Sequence, residues 1–144
     1  EIYGNLYNWN AVDDSRGVCP EGWHVPTDDE IMELEMFLGM SEEEANSDGA
    51  RGTNESSKLA GNAMLWDTGN LIFNSYFATS GFNALPAGSL SFDGWDFYDS
   101  GVYTRAYFWS STENIYRAIW HNRSDIKRRV DGEESMLSIR CLKD

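Results

Sequence analysis

An α+β domain is the fold class this 144-residue sequence predicts, and three observations carry it. A capped amphipathic segment lies early, in "TDDEIMELEMFLG". From Gly61 onward glycines recur between short aromatic-rich runs, as in "DTGN", "TSGF", "PAGS", "FDGW" and "DSGV". The chain closes on "SMLSIRCL", where apolar and polar residues alternate. Helices early and short strands late, joined by turns, follow from that order.

Each element has a local reason. "YGNLYNW" alternates loosely and predicts an early strand. "CPEGWHVPT" holds two prolines and a glycine and predicts a structured loop. Thr27 opens a capping box with Glu30, and acids fill the first turn, where the helix dipole favours them. Ile31, Leu34 and Leu38 follow on one face and Gly39 stops the helix, which predicts a helix over 28–38. Ser41 to Glu44 repeats the box and predicts a second, short helix. "NSDGARGTNESS" is a polar loop, with a turn of helix expected around Glu55–Ala60. In the closing strand Leu137, Ile139 and Cys141 share one side, Ser138 and Arg140 the other.

Composition bounds the function. The length fits one domain, 1–144, with one substantial core. Apolar residues at 41% and aromatics at 14% describe a packed globule rather than a disordered chain. No 18-residue apolar run exists, so no membrane insertion by this segment is expected. "EIYGNLYNW" lacks a basic start followed by an apolar stretch, so no signal peptide is expected within it, as in a mature or trimmed chain. The net charge of −13 argues against nucleic acid and anionic lipid as general partners. The charge is uneven: residues 1–112 hold four Lys/Arg against eighteen Asp/Glu, whereas 113–144 hold seven against six.

Most constellations have a plain structural reading. The carboxylates of "DDEIMELE" read as the solvated face of the helix. His24 and His121, the two histidines, sit in neither GxSxG nor HExxH surroundings, so a hydrolytic triad or zinc protease has no support. His24 reads as a hydrogen-bonding group of its loop. Asp93, Asp96 and Asp99, with Ser100, place oxygen ligands in a glycine-containing loop that could hold calcium, but the spacing is not that of an EF-hand and turns favour Asp anyway. No metal or other cofactor is assigned. "RSDIKRR" reads as a solvated strand edge guarded by Lys and Arg. Cys19 and Cys141 form no CxxC pair; spacing alone leaves a bridge and two buried thiols both open.

The densest mixture of aromatic, amide and basic groups is "TRAYFWSSTENIYRAIWHNRSDIKRRVDG". If 115–121 is a strand, Ile115, Arg117, Ile119 and His121 share one face and Tyr116, Ala118 and Trp120 the other. The isoleucines mark the first face as core. Tyr116 and Trp120 then face outward, beside Asn122, Arg123 and Asp125, in the chemistry that dominates binding hot spots. Packing of the same rings beneath a neighbouring loop is the alternative. The expected ligand surface comprises Tyr116, Arg117, Trp120, Asn122, Arg123, Asp125, Lys127 and Arg129, with Trp95 and Tyr98. Strand parity assigns Arg117 inward. Trp109 and the "SSTE" after it read as structural, an indole in the core with hydroxyls satisfying a turn.

"LYNWNAV", "GVCPEGWHVPTDDE", "FNALPAG", "FWSSTE" and "SIRCLKD", in that order from about Leu6 to Asp144, resemble the Fibrobacter succinogenes major paralogous domain. The family's upstream Trp-Met-Ala-Glu-Asn-Leu-like strand is missing here, which implies a chain trimmed at its N-terminus or a first strand supplied otherwise. Met136 stands where the family usually has a small glycine. The resemblance implies a C-type lectin-like fold of short twisted antiparallel strands and long loops, related to formylglycine-generating enzymes and to the variable proteins of diversity-generating retroelements. It implies a Cys19–Cys141 disulfide and a non-enzymatic lipoprotein or secreted protein at the surface of a Bacteroidetes-type bacterium, recognising a protein or glycan ligand. A structural or pilus-associated adhesive subunit is the alternative. The paired late cysteines of formylglycine-generating enzymes and the Glu-Pro-Asn or Gln-Pro-Asp motifs of calcium-dependent lectins are absent, so neither chemistry is expected.

Overall fold

A computed structural model describes residues 2–92, 97–130 and 135–144, with backbone alone for 92 and 97–100. Five short helices alternate with strands in the first half: α1 (Trp9–Val12), β1 (Trp23–His24), α2 (Asp28–Phe37), α3 (Glu42–Ala45), β2 (Gly49–Arg51), α4 (Glu55–Leu59) and α5 (Asn70–Phe73). Strands β3 (Ser89–Phe92), β4 (Phe97–Ser100), β5 (Arg105–Trp109), β6 (Ile115–Trp120), β7 (Ile126–Val130), β8 (Ser135–Met136) and β9 (Leu142–Lys143) follow. The strands pair antiparallel in three sheets, ordered β2-β7-β6-β5, β4-β3-β8 and β1-β9. This is the α+β architecture expected from the sequence.

Capping places the helices. Thr27 and Glu30 form the reciprocal box at the start of α2, and Ser41 and Glu44 repeat it at α3, so both helices begin where the side chains supply the acceptors that the first backbone N–H groups lack. Gly39 follows α2 at φ +114°, a left-handed conformation that a side chain would strain. The expected turn of helix near Glu55 is α4.

Two expectations require correction. The early strand shrinks to a single bridge between Tyr7 and Leu137, because the Asn8 side chain accepts from the Ala11 N–H and starts α1 instead. The closing strand is broken. Ser135–Met136 pairs with β3, Leu137 and Ser138 bridge to Tyr7 and Phe108, and Leu142–Lys143 pairs with β1. Its successive neighbours lie in different sheets, so one continuous ladder cannot form. Leu137 is buried, while Ile139 and Cys141 are half-buried.

The four-stranded sheet divides the core in two. On its first face Ala106, Phe108, Ile119 and Ile126 pack with Leu59, Trp66 and Leu71, and with Met32, Leu34 and Leu38 of the α2 segment. On its second face Tyr107, Trp109 and Ala118 pack with Leu137, flanked by Trp9, Val12 and Ile139. Trp109 is fully buried, and its indole N–H donates to the Tyr7 carbonyl at 2.8 Å. The Ser110 hydroxyl donates to the Ile115 carbonyl at 2.9 Å, and the Thr112 hydroxyl accepts from the Asp28 N–H, so "SST" closes its turn as expected.

Cys19 and Cys141 are joined by a disulfide, with Cα atoms 5.9 Å apart across 122 positions of sequence. It fastens the "CPEGWHVPT" loop to the chain's end. His24 reinforces the same junction, its ring nitrogens 2.6 Å from Asp144 and 3.0 Å from Glu30.

The acids of α2 are not all solvated. Glu35 is fully buried and Asp28 is 5% exposed. Glu35 accepts from Arg51 Nη2 at 2.7 Å and Arg117 Nε at 2.8 Å; Asp28 accepts from Arg117 Nη1 at 2.7 Å and Arg128 Nη2 at 2.6 Å. Arg128 also pairs with Asp48. This ion network pins α2 to β2, β6 and β7. Charges withdrawn from water survive only when paired and hydrogen-bonded, which is why acids and arginines gather here.

Candidate functional site

Strand alternation and register build a second, different set of charges on the opposite side of the sheet. On β6, Tyr116, Ala118 and Trp120 point to the second face, while Ile115, Arg117 and Ile119 are buried. Cross-strand pairing sets Arg105 opposite Trp120, Tyr107 opposite Ala118, and Trp109 opposite Tyr116. From β7, Lys127 stands beside Ala118 and Arg129 beside Tyr116. One face therefore runs from a packed aromatic end at Trp109 to a basic end at Trp120.

At the aromatic end Tyr116 is half-buried, its ring edge-on to Trp109 at 5.7 Å and to Tyr107 at 6.0 Å. At the basic end the half-buried Trp120 ring carries two cations, Lys127 Nζ 3.3 Å and the Arg105 guanidinium 4.8 Å from its centroid. Arg105 also donates to the Tyr107 hydroxyl at 3.4 Å, and Arg129 is exposed. Burial pushes the Lys127 amine below its ordinary range; Arg129, Arg123 and Arg105 add to that, against the opposing charge of Asp125.

The turn after β6 forms a separate concavity. Asn122, Arg123, Ser124 and Asp125 line it with Gly52, Thr53 and Asn70. Arg123 grips Asp125 in a fork, at 2.7 and 2.5 Å. The Ser56 hydroxyl donates to the Asp125 carbonyl at 2.7 Å, and the Ser56 N–H donates to the Ser124 carbonyl at 3.0 Å. Leu71 N–H donates to the His121 carbonyl at 3.0 Å. These bonds from α4 and α5 hold the turn in place.

The predicted residues thus fall into three groups. Tyr116, Trp120, Lys127 and Arg129 share the sheet face. Asn122, Arg123 and Asp125 lie at the neighbouring turn. Arg117 is 2% exposed and belongs to the ion network under α2, so its place on the ligand surface is corrected: the inward parity of the strand prevails because Asp28 and Glu35 wait there. Trp95 lies outside the described residues, as do Asp93 and Asp96 of the calcium candidate. Tyr98 and Asp99 lie on β4, opposite Ser91 and Leu90. Among the described residues no group of three or more His, Cys, Asp or Glu could hold a metal. The solvated-edge reading of "RSDIKRR" is also corrected, since β7 lies between β2 and β6.

Sequence reasoning missed Arg105. A lone arginine ahead of "AYFW" carries no signal by itself; only the β5–β6 register sets it against Trp120. It also missed an apolar cavity of about 370 Å³ between α2 and the first face, lined by Ile31, Leu34, Phe82, Phe108, Ile119 and Leu142 among others.

Antiparallel sheets with short helices, a terminal disulfide and a basic aromatic face define an α+β domain built around a sheet surface. The family model of the Fibrobacter succinogenes major domain matches residues 1–143, and the chain belongs to that family. No curated protein and no solved structure matches it.

Proposed function

We propose that this domain is a non-enzymatic recognition module of C-type lectin-like fold. It works outside the cell or on the outer surface of a bacterium and binds a protein or glycan ligand through the β5–β6–β7 face around Trp120. One observation carries the reading: Arg105 and Lys127 both lie over one half-buried tryptophan, with Arg129 on the same sheet face, in a protein whose overall charge is strongly negative. Aromatic and guanidinium groups held on a rigid sheet supply contact area and directional donors at low cost in side-chain entropy. The Asn122–Asp125 turn extends the surface with amide and paired-charge groups. The Cys19–Cys141 disulfide fits an oxidising compartment.

The test is capture on an array of bacterial and plant polysaccharides and on bacterial surface proteins. Trp120→Ala combined with Arg129→Ala should abolish capture with the melting temperature within a few degrees of the parent. Tyr116 is left intact because its ring packs on Trp109 and Tyr107. Unfolding of the Trp120→Ala, Arg129→Ala protein, or undiminished capture by it, would refute the reading. A neighbouring reverse transcriptase gene with a template repeat would mark the protein as a diversified variable protein.

A further inference from the structure

We infer that the Arg105–Trp120–Lys127 cluster binds an oxyanion, the carboxylate, sulfate or phosphate group of a small ligand. The inference rests on the reading of this face as the binding face and names what it binds.

The first argument is charge pairing. Arg16, Arg51, Arg117, Arg123 and Arg128 each hold a carboxylate within the chain: Asp14, Glu35, Glu35 with Asp28, Asp125, and Asp28 with Asp48 respectively. Lys58, Arg105, Lys127, Arg129, Arg140 and Lys143 hold none among the described residues, and of these Arg105, Lys127 and Arg129 come together, although acids outnumber bases by 24 to 11 in the sequence. These three share one sheet face, and two of them, Arg105 and Lys127, share one ring. Their mutual repulsion is unfavourable unless an anion is bound between or beside them. Asp125, the acid acting on Lys127, is occupied by the Arg123 fork.

The second argument is the donor inventory. Trp120 Nε1–H is withdrawn from water and has no acceptor among the described residues. Arg105 contributes a guanidinium that donates a long bond to the Tyr107 hydroxyl, and Lys127 contributes an ammonium. The Tyr107 hydroxyl can also donate. A set made almost wholly of donors is complementary to a group that only accepts, and ionised acceptors form the stronger bonds. Neutral sugars, which present hydroxyls that must both donate and accept, are a poorer match.

The third argument sets ligand size. The net charge of −13 opposes a long polyanion, whose remote charges would meet the acidic remainder of the domain. Screening limits that repulsion to roughly 10 Å at moderate salt, so a small ligand with one anionic group meets only the local cations. Cations lie over the Trp120 ring, so the anion is held by charge and N–H donors at the ring's rim rather than by stacking on its face.

The experiment is a titration of the intact oxidised domain at low ionic strength, read on the indole N–H signals by NMR with Trp120→Phe to assign them. The probes are sodium glucuronate, inorganic sulfate, inorganic phosphate and neutral glucose. A saturable shift of the Trp120 signal with at least one anion, none with glucose, and binding weakened roughly tenfold or more in Arg105→Gln supports the inference. Glucuronate acting alone assigns a carboxylate, and sulfate or phosphate acting alone assigns a tetrahedral group. No shift with any anion, or an equal shift in Arg105→Gln, overturns it. Glucose shifting the Trp120 signal as strongly as glucuronate overturns the oxyanion while upholding the face as a binding site. Loss of array capture in the Trp120→Ala, Arg129→Ala protein stands independently of all these outcomes.

Discussion

Glu35→Ala is the sharpest perturbation available in this fold. The carboxylate is fully buried and receives three hydrogen bonds, from Arg51 Nη2 at 2.7 Å, Arg117 Nε at 2.8 Å and Arg117 Nη2 at 3.2 Å. Its removal leaves Arg51, 5% exposed, with only the Ile126 carbonyl at 3.4 Å, and leaves Arg117 with Asp28 alone. Arg51 Nε already lacks a partner among the described residues, and burial already pushes the Arg51 guanidinium below its ordinary range. Stripping one partner from a buried pair costs about 3–5 kcal/mol, because the other charge stays desolvated. Against a total stability of about 5–15 kcal/mol this is a large fraction, and it corresponds to a fall in Tm on the order of 10 °C. Urea unfolding of the oxidised protein, followed by tryptophan fluorescence, measures it. The triple change Glu35→Met, Arg51→Met, Arg117→Met removes the charges together and should recover most of the loss. A Glu35→Ala cost under about 1 kcal/mol would refute the claim that these charges are desolvated and mutually dependent.

Other expectations follow from single observations. A Cβ on Gly69 would lie 2.2 Å from the His121 carbonyl oxygen, a backbone atom with little room to move, so Gly69→Ala should destabilise the β6–β7 turn by about 1–3 kcal/mol, seen as a lower urea midpoint. Burial alone would raise the Asp28 carboxyl, but hydrogen bonds and charge from Arg128 and Arg117 outweigh it and hold the group below its ordinary 3.8. Its stabilising contribution is therefore present above the unfolded-state value and lost as pH falls through the folded one; Asp28→Asn, which has no such proton to take up, should be less stable at neutral pH and lose stability less steeply in acid, read from urea midpoints across pH. Hydrogen bonds to Asp144 and then to Glu30 raise the exposed His24 imidazole above its ordinary 6.5. That contribution is present below the unfolded-state value and lost as pH rises through the folded one, so an NMR titration should place His24 above the ordinary imidazole value, and Asp144→Asn should lower it. Reduction of the disulfide reopens a loop of 122 positions and should cost roughly 4–5 kcal/mol on the chain-entropy model, measured as the urea midpoint with and without reductant.

Local chemistry made several elements legible. A Thr or Ser followed three residues later by Glu satisfies backbone donors within one turn, so α2 and α3 begin where their sequences say, whatever packs on them. Alternation in "IYRAIW" separated Ile115 and Ile119 from Tyr116 and Trp120, because neighbouring side chains on a strand must point to opposite faces. The inward turn of Arg117 follows from the same rule. Glu35 and Asp28 were not legible. An acid on a helix reads as solvated unless Arg51, Arg117 and Arg128 are known to converge on it from strands 16 to 100 positions away. Arg105 was hidden for the same reason, since nothing local ties it to Trp120.

By itself, then, the sequence determined the class of fold, the capped helices, the face assignment along β6 and the family, since each rests on contacts within a few residues or on a recurring motif. Only the tertiary structure decided which charges are spent in the core and which remain for a ligand. Asp28 and Glu35 take up Arg51, Arg117 and Arg128 on one side of the sheet, while on the other Arg105 and Lys127 share Trp120 and Arg129 stands beside Tyr116. Pairing between charges far apart in the chain depends on strand register and sheet order, and those are settled by the packing of both faces together.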